Sequence, residues 1–538
     1  MAGLAASFGS GAMTNAIDEI EFADVILATG TNTTENHPIA GMYVKRAVRK
    51  RGAKLIVIEP REIPMVKYST LFLRQKPGTD VAWINGMMNV IIAEDLYARE
   101  YVEKRTEGFE EVRKIVEKYT PEYVESITGI PAEQLKAAAR MYATAKKATI
   151  LYAMGITQHK TGTDNVKSLA NLAMLCGKVG YESCGINPLR GQNNVQGACD
   201  MGCLPNVFPA YQNVALDSPR EKFETAWGVK LPAKPGLTVV EMSRAAGEGK
   251  LKALYCMGEN MMVSDPDLHH LEESLKKLEL FIVQDIFLTE TAELAHVVLP
   301  SGCFAEKGGT FTNTERRVQR VRKAVEPPGE ARTDWEIIAD LSTRMGYPMK
   351  YVKPREIWSE IRQLTPSYAG ITYERIGRQG IQWPCPNTDH PGTRYLHRDR
   401  FTRGLGLFAP IEFIPPDEMP DKDYPLYLTT GRVLYQYHTG TMTRRSRGTN
   451  ERCPESLIEI HPRDAEKFGV ADGKKVKVSS RRGTLEVKAN VTDRTPEGTV
   501  FMNFHFKESP VNMLTNPVLD PVCKIPELKV CACKIEAA

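Results

Sequence analysis

Short apolar runs alternate with amphipathic segments through the first half of the chain. The run Asp24–Thr29 is followed by a glycine turn, a helix-like segment near Ile39–Arg51 and a second apolar run, Lys54–Ile58. Continuous apolar runs of this length, separated by helices, are typical of parallel strands that are covered on both faces. The pattern therefore predicts a βαβ unit at the start of the chain.

The same alternation returns further along the chain, and each apolar run again ends in a loop that contains glycine, proline or a polar residue. These later runs are Ala148–Ala153, Lys252–Cys256, Phe281–Val283 and His296–Leu299. We interpret the first part of the chain as α/β, with two doubly wound parallel-sheet domains that cover residues 1–192 and 193–330.

The pattern changes after residue 330. Residues 331–419 are predicted to form a helical and proline-rich connecting region, in which the prolines from Pro384 to Pro425 mark a linker or an extended wrap. From residue 420 onward, short strands are separated by turn dipeptides: Ile458–Ile460, Lys475–Ser479, Thr484–Lys488 and Gly498–Asn503. Residues 420–538 are therefore predicted to form a β-barrel domain.

Composition and charge exclude several classes of function. The chain has 538 residues and a net charge of only +4, so nothing indicates a nucleic-acid partner. No apolar run is long enough to span a membrane. The eleven cysteines form no CxxC pair and match no metal-binding spacing, so we expect reduced, buried thiols in a cytoplasmic protein.

The loops that follow the strands are candidates for nucleotide binding. Gly30 and Asn32 follow the first strand, where a glycine allows a backbone to approach a phosphate, and Glu59 ends the next strand. One such turn is weak evidence, because there is no GxGxxG pattern. Two sets of these loops, one in each α/β domain, suggest two nucleotides or a ligand with two nucleotide parts.

One loop combines a single cation with many side-chain amides. It runs from Asn187 to Gly202 and reads NPLRGQNNVQGACDMG, with Arg190 as its one basic residue. An arginine fork can hold a carboxylate by two parallel hydrogen bonds. The loop is therefore predicted to line a polar pocket, and a loop that bonds to itself between domains remains the alternative.

Histidines give no clear catalytic signal. His159, His438 and His505 lie near loops or strand ends without paired-ligand spacing, and a structural role is favoured for each. The α/β pattern alone also leaves open a nicotinamide dehydrogenase. The missing GxGxxG motif and the β-rich tail argue against that class.

The loop with Arg190 resembles the active-site loop of molybdenum- or tungsten-dependent formate dehydrogenases, members of the dimethyl sulfoxide reductase superfamily. Further segments match in order along nearly the whole chain, including AGLAASFGSGAMTNAIDEI near the start, VQDIFLTETAELAHVVLP, and YHTGTMTRRSRG in the barrel. The resemblance implies a catalytic alpha subunit whose C-terminal domain is a six-stranded double-psi-type β-barrel.

The resemblance also implies a cofactor, bis(molybdopterin guanine dinucleotide) with Mo or W, whose two nucleotides fit the two loop sets. The residues placed by motif position near the first half are Gly30, Asn32, Glu59, Gly78, Asp80, Met154, Gly155, Gln158, Gly191 and Gln192. Those placed near the second half are Gly258, Glu259, Asn260, Gln284 and Asp285. In the barrel they are Thr430, Gly431, Arg432, His438, Thr441, Asn503, Asn512 and Lys524.

The implied reaction is the two-electron oxidation of formate to CO2, with Arg190 orienting the substrate. The implied partner is an electron-transfer subunit of the iron–sulfur, flavin or hydrogenase type. Two alternatives stay open: another oxidoreductase with the same cofactor, such as formylmethanofuran dehydrogenase, and a non-catalytic scaffold derived from the fold.

The family begins with a segment that this sequence does not contain. That segment carries a 4Fe-4S cluster and the Cys or selenocysteine ligand of the metal, so the ligand is expected upstream of Met1 and no metal ligand is assigned here. A start site downstream of a selenocysteine codon and a genuinely split subunit are the competing explanations. We expect this polypeptide alone to be inactive or nearly so, and poorly stable.

Overall fold

The computed structural model describes all residues from Met1 to Ala538, and these form two compact units. Unit 1 comprises Met1–Gly191, Val263–Leu268 and Tyr395–Ala538. Unit 2 comprises Gln192–Met262 and His269–Arg394. The first boundary between the units falls within the amide-rich loop, directly after Arg190 and Gly191.

The strands are short, as expected for alternating α/β and barrel folds. They are β1 (Val25–Thr29), β2 (Lys54–Ile58), β3 (Leu71–Leu73), β4 (Thr106–Glu107), β5 (Ala148–Tyr152), β6 (Gly185–Pro188), β7 (Val207–Phe208), β8 (Gln212–Asn213), β9 (Ala253–Met257), β10 (Leu280–Asp285), β11 (Val297–Pro300), β12 (Gly309–Thr312), β13 (Arg317–Val321), β14 (Ile381–Gln382), β15 (Gly406–Leu407), β16 (Leu426–Gly431), β17 (Leu457–Ile460), β18 (Lys475–Ser479), β19 (Thr484–Val491), β20 (Thr499–Asn503) and β21 (Cys531–Ala537).

Most helices lie in the α/β parts of the chain. They are α1 (Ala2–Phe8), α2 (Thr33–Asn36), α3 (Pro38–Arg51), α4 (Asp80–Ala93), α5 (Arg99–Arg105), α6 (Phe109–Val116), α7 (Pro121–Thr128), α8 (Ala132–Thr144), α9 (Met154–Thr157), α10 (Gly162–Leu175), α11 (Val195–Asp200), α12 (Asp217–Trp227), α13 (Val239–Gly247), α14 (Met261–Ser264), α15 (Leu268–Lys276), α16 (Asp334–Arg344), α17 (Pro354–Leu364), α18 (Arg447–Arg452) and α19 (Pro462–Lys467). No helix is both long and apolar enough to cross a membrane.

A five-stranded sheet organises the first part of unit 1. Its strands lie in the order β3-β2-β1-β5-β6, and every neighbouring pair is parallel. The central strand β1 is buried along its whole length because helices cover both faces of the sheet. Helix α4, almost wholly apolar, is buried on nearly all sides between α8, α10 and α7.

The rest of unit 1 contains a closed six-stranded barrel. The strands follow the order β16-β20-β17-β19-β18-β21, with both parallel and antiparallel neighbours. Strand β19 alternates exposed and buried positions, so every second side chain enters the barrel core. The predicted α/β class and six-stranded C-terminal barrel are thus confirmed.

Unit 2 is built around two three-stranded sheets. Strands β9, β10 and β11 are parallel with β10 in the middle, whereas β12, β13 and β14 form an antiparallel sheet. Helix α16 begins with a capping box in which Thr333 and Glu336 satisfy each other's backbone N–H groups.

The structure corrects some sequence-based details. Strand β19 continues to Val491 rather than ending at Lys488. The cysteines are all free thiols, but they are not all buried: Cys203 is exposed, and Cys199, Cys303, Cys453 and Cys523 are partly exposed. Burial of a cysteine depends on which face of its element meets the core, which a single residue type does not reveal.

Candidate cofactor and substrate site

In the parallel sheet of unit 1, the direction in which the chain adds successive strands reverses between β1 and β5. From β1 the chain continues through β2 and β3 on one side of the sheet, and β6 lies on the other side, next to β5. The chain therefore passes from β1 to β2 and from β5 to β6 in opposite directions across the sheet. In open α/β sheets, ligands bind in the crevice at the carboxyl ends of such a pair of strands.

Two glycines allow the loops at this crevice to touch. Gly30 has a positive φ of 57°, and its carbonyl oxygen accepts a 3.0 Å hydrogen bond from the Gly155 N–H. A Cβ atom at Gly30 would lie 2.6 Å from the Ile156 nitrogen, and one at Gly155 would lie 2.5 Å from the Gly30 Cα. Both positions therefore require glycine for the two loops to approach each other.

The turn after Gly30 carries buried polar atoms that have no protein partner. Both amide atoms of Asn32 and the hydroxyls of Thr31 and Thr33 are buried without a hydrogen bond, as is the Gln75 side-chain oxygen. Leaving such groups unpaired is unfavourable, by about 1–3 kcal/mol each. A polar ligand with its own donors and acceptors, such as a nucleoside diphosphate, fits this turn.

Acidic side chains lie buried beside the turn. Glu59, at the end of β2, accepts the backbone N–H of Thr31, and burial raises its pKa to about 8. Asp80, in the first turn of α4, accepts hydrogen bonds from Gln75 at 3.1 Å and Trp83 at 3.4 Å, and burial raises its pKa. Both carboxyl groups thus lie away from bulk water.

A buried lysine from the barrel tail reaches the same region. The Lys529 Nζ donates to the Thr430 carbonyl oxygen at 2.8 Å, and its backbone N–H donates to the Gln158 carbonyl oxygen at 3.3 Å. Burial and, to a smaller extent, the Arg432 charge lower the pKa of Lys529 to about 7, whereas Glu59 acts in the opposite direction. This lysine joins the barrel to the loop after β5.

The backbone around Arg190 is held from two sides. Its carbonyl oxygen lies 2.7 Å from the His37 Nε2, and the next carbonyl, of Gly191, accepts from the Arg432 Nη1 at 3.1 Å. The Arg190 guanidinium donates to the Gly11 carbonyl oxygen at 3.1 Å. Arg190 follows β6, so it lies at the same edge of the sheet as the crevice.

The barrel contributes a group of neutral histidines beside Arg432. The His505 Nε2 accepts the Val433 N–H at 3.0 Å, and its Nδ1 donates to the His438 carbonyl oxygen. Burial, with a smaller contribution from the Arg432 charge, lowers the pKa of His438 to about 4 and that of His505 to about 3. Burial likewise lowers the pKa of Arg432.

Two other barrel candidates, Asn503 and Asn512, differ in the partners of their side chains. Gly431 and Asn503 face each other at the ends of β16 and β20, and the Asn503 side-chain oxygen is buried without a partner. The Asn512 amide instead donates to the carbonyl oxygens of Val263 and Ser264, at 3.1 and 2.8 Å, and so holds a chain segment.

Four further candidates in unit 1 pack locally, bond locally or are exposed. A Cβ atom at Gly78 would lie 2.3 Å from Pro416, so this glycine allows close packing. The Thr441 hydroxyl bonds to Thr439 at 2.8 Å, and the backbone N–H of Lys524 bonds to Asp520. Met154 is 37% exposed.

The candidates in unit 2 gather around the carboxyl ends of β9 and β10, apart from Gln192 at the start of the unit. Gly258 has a positive φ of 66°, and its N–H donates to the Gln284 carbonyl oxygen at 2.9 Å. Nothing lies within 4 Å of the position of a Cβ at Gly258, so its backbone faces open space. The Gln284 amide is held by Tyr255 and Asp334.

The neighbouring side chains of unit 2 are also anchored. The Asn260 amide donates to Glu290 at 2.9 Å and accepts from the Thr291 hydroxyl at 2.9 Å. The Asp285 carboxylate accepts a 2.7 Å hydrogen bond from the Ile286 N–H. The Glu259 backbone carbonyl oxygen accepts a hydrogen bond from the Cys256 thiol.

Two residues at the crevice, His37 and Lys529, carry no sequence signal that marks them as site residues. His37 directly precedes Pro38, the first residue of α3, and this pattern indicates only the start of a helix. Lys529 lies in an alternating tail where lysines usually face water, so no sequence pattern indicates its burial.

Buried, unpaired polar atoms at the switch point of a parallel sheet, beside a six-stranded barrel, fit the class of proteins that bind nucleotide-type cofactors. The family model for molybdopterin oxidoreductases matches residues 4–344, and that for the molydopterin dinucleotide binding domain matches residues 426–532. A relative from Methanocaldococcus jannaschii, the F420-dependent formate dehydrogenase subunit alpha, is 53% identical over 99% of this chain and 79% of its own length. Formate dehydrogenase H from Escherichia coli is 44% identical over 100% of this chain and 76% of its own length. Among solved structures, acetylene hydratase from Pelobacter acetylenicus is similar, with a TM-score of 0.77 and 22% identity, covering 100% of this chain and 80% of its own.

The chain therefore belongs to the molybdopterin oxidoreductase family, in the group of formate dehydrogenase alpha subunits. The cofactor of this family is bis(molybdopterin guanine dinucleotide) with Mo or W. The unpaired polar atoms of Thr31, Asn32 and Thr33 and the close glycine loops fit such a group.

Proposed function

We propose that this protein oxidises formate, with Arg190 as the residue that binds and orients the substrate. In the balanced reaction, formate loses its C–H bond and gives CO2, one proton and two electrons. The chemistry supplied by the bound cofactor is acceptance of the two electrons. The observation that carries the proposal is the anchored Arg190 backbone at the cofactor edge of the sheet.

The arginine acts by charge and geometry. A guanidinium holds a carboxylate through two parallel hydrogen bonds, which fixes the direction of the substrate's C–H bond. CO2 is linear and carries no net charge, so it loses most of this attraction and can leave. Arg190 is partly buried, and this reduces competition from water for the carboxylate.

We infer that the cofactor is held by the two loop sets and the barrel. One nucleotide would be held by the turn after β1, the loop after β5 and Glu59, and the other by the loops around Gly258 and Gln284. From the barrel, Arg432 and Asn503 would contact the part of the cofactor that unit 1 holds. The residue assignments in unit 2 rest on their position at the carboxyl ends of parallel strands.

The two electrons require an electron-transfer partner, which we infer to be an iron–sulfur, flavin or hydrogenase-type subunit. The free cysteines fit a reducing compartment, so we infer a cytoplasmic location.

Arg190→Ala tests the proposal in the purified holoenzyme, with formate-dependent reduction of a dye acceptor as the assay. Loss of a charge-assisted bidentate contact should lower kcat/KM by roughly 100-fold or more. Arg190→Lys keeps the charge without the fork and should give an intermediate value. The control is Arg463→Ala, an exposed arginine of the barrel domain. Unchanged kcat/KM in Arg190→Ala, at equal metal and guanine nucleotide content, would refute the assignment.

A further inference from the structure

His37 connects the cofactor turn to the substrate arginine. The short helix α2 links Asn32 to His37 through backbone bonds, including His37 N–H to Thr33 carbonyl at 3.1 Å. The His37 ring then reaches the Arg190 carbonyl oxygen with its Nε2, at 2.7 Å. One residue therefore joins two loops that lie 153 positions apart in the sequence.

The chemistry of this contact fixes the form of the ring. A carbonyl oxygen only accepts hydrogen bonds, so the His37 Nε2 must carry a hydrogen. Burial lowers the pKa of His37 to about 4, the Arg190 contact partly offsets this, and the Arg432 charge adds to the lowering. The ring is thus neutral near pH 7, with a hydrogen on Nε2 and none on the buried Nδ1.

A second histidine in the same local setting behaves differently. Both His37 and His461 directly precede a proline that opens a helix. The His461 side chain caps its own helix by accepting the Arg463 N–H at 3.3 Å, whereas the His37 side chain makes no capping bond. The orientation of His37 is therefore not explained by helix capping.

We infer that His37 is a positioning residue for Arg190: its Nε2–H holds the Arg190 backbone so that the guanidinium meets the formate carboxylate. Arg432 holds the next carbonyl, so the two side chains together fix the short segment on which the guanidinium depends. This inference rests on the proposed function.

The experiment uses His37→Gln and His37→Ala in the holoenzyme. Glutamine can place an N–H where the histidine Nε2–H was, whereas alanine cannot. His37→Ala should raise the KM for formate about tenfold, the scale of one lost hydrogen bond, with a smaller change in kcat. His37→Gln should stay within about threefold of the unmodified enzyme. The matched variants His461→Gln and His461→Ala should leave KM unchanged.

A second measurement does not depend on turnover. Phenylglyoxal modifies arginine side chains that it can reach, and bound formate should protect the partly buried Arg190, as followed by peptide mass spectrometry. The formate concentration that halves the rate of modification should rise about tenfold in His37→Ala and little in His37→Gln. A general loss of folded protein would lower the apparent kcat and leave this concentration unchanged.

The outcomes distinguish a failure of the positioning role of His37 from a failure of the proposed function. Unchanged KM and protection in His37→Ala, or equal damage in His37→Gln and His37→Ala, would overturn the positioning role. A loss of guanine nucleotide in His37→Ala would also overturn it, since the residue would then act on cofactor binding. If the unmodified, fully loaded enzyme neither oxidises formate nor is protected by it, the proposed function itself fails.

Discussion

A buried ion pair between the sheet and the barrel offers a quantitative test of how unit 1 is held together. Arg61, which follows β2, makes two bonds of 2.6 Å to the carboxylate of Glu459 in β17. The two side chains are only 7% and 8% exposed. The Arg61 guanidinium also lies 3.9 Å from the centre of the Phe501 ring, and Glu459 has a second contact at 3.2 Å with Arg494.

These contacts predict an asymmetric effect of removing either partner. Breaking a buried pair leaves a buried charge uncompensated, which destabilises by about 3–5 kcal/mol. Without Arg61, Glu459 keeps Arg494, so Arg61→Leu should cost about 2 kcal/mol. Without Glu459, Arg61 loses both bonds, so Glu459→Leu should cost about 4 kcal/mol. The double variant removes both charges and should cost less than Glu459→Leu alone.

Scanning calorimetry of the purified protein measures the loss of stability of each variant, from the melting transition that includes the barrel. A chain of two units need not melt in one step, so the variants are compared within that transition. The exposed pair Arg463–Glu497, 77% and 59% exposed, provides the control, and Arg463→Leu should change stability by less than about 1 kcal/mol. If the double variant is destabilised by the sum of the single effects, the reasoning about uncompensated charge is wrong.

Three further predictions concern the crevice and unit 2. Gly30→Ala should lower guanine nucleotide content, and it should lower stability by more than Gly52→Ala, for which left-handed strain alone costs roughly 1–2 kcal/mol. A Cβ at Gly30 meets backbone atoms at 2.6 Å, whereas one at Gly52 meets nothing within 4 Å. Equal effects of the two substitutions would contradict this. Burial raises the pKa of Glu59 to about 8 from 4.5, so its stabilising contribution is complete below pH 4.5 and is lost as the pH rises to 8. Glu59→Gln should therefore melt near the unmodified protein at pH 5 and above it at pH 8.5, and parallel melting curves would exclude the shift. The buried Asp200 carboxylate accepts bonds from four side-chain donors, so Asp200→Asn should destabilise by about 2–4 kcal/mol, whereas the exposed Asp217→Asn should have little effect in thermal unfolding.

The pattern of apolar runs was sufficient for most of the fold. The predicted strand Lys54–Ile58 matches β2, and Lys475–Ser479 matches β18, residue for residue. These segments are strongly patterned because a parallel sheet buries both faces of a strand and a barrel buries one. Local pattern cannot show how strands are ordered in a sheet, and the position of β1 between β2 and β5 appears only in the structure.

The site was less accessible from sequence than the fold. Arg190 stands out because it is the one cation in an amide-rich loop. Lys529 and His37 do not stand out, since their roles come from partners far along the chain: Thr430 for Lys529, and Arg190 for His37. A residue whose environment is made by distant segments leaves no signal in its own neighbourhood.

The barrel and Arg190, the proposed substrate-binding residue, should be energetically linked, because the same strands support both. Glu459 of β17 lies opposite Phe501 of β20, and Asn503 at the end of β20 lies opposite Gly431, which precedes Arg432. Arg432 in turn holds the Gly191 carbonyl oxygen beside Arg190.

If this connection transmits strain, Glu459→Leu should raise the KM for formate several-fold as well as lower stability. Steady-state kinetics at equal guanine nucleotide content measures the effect, and Arg463→Leu again provides the exposed control. A destabilised Glu459→Leu enzyme with an unchanged KM would show that the barrel positions Arg432 independently of the ion pair, and that the Arg190 segment is rigid enough without it.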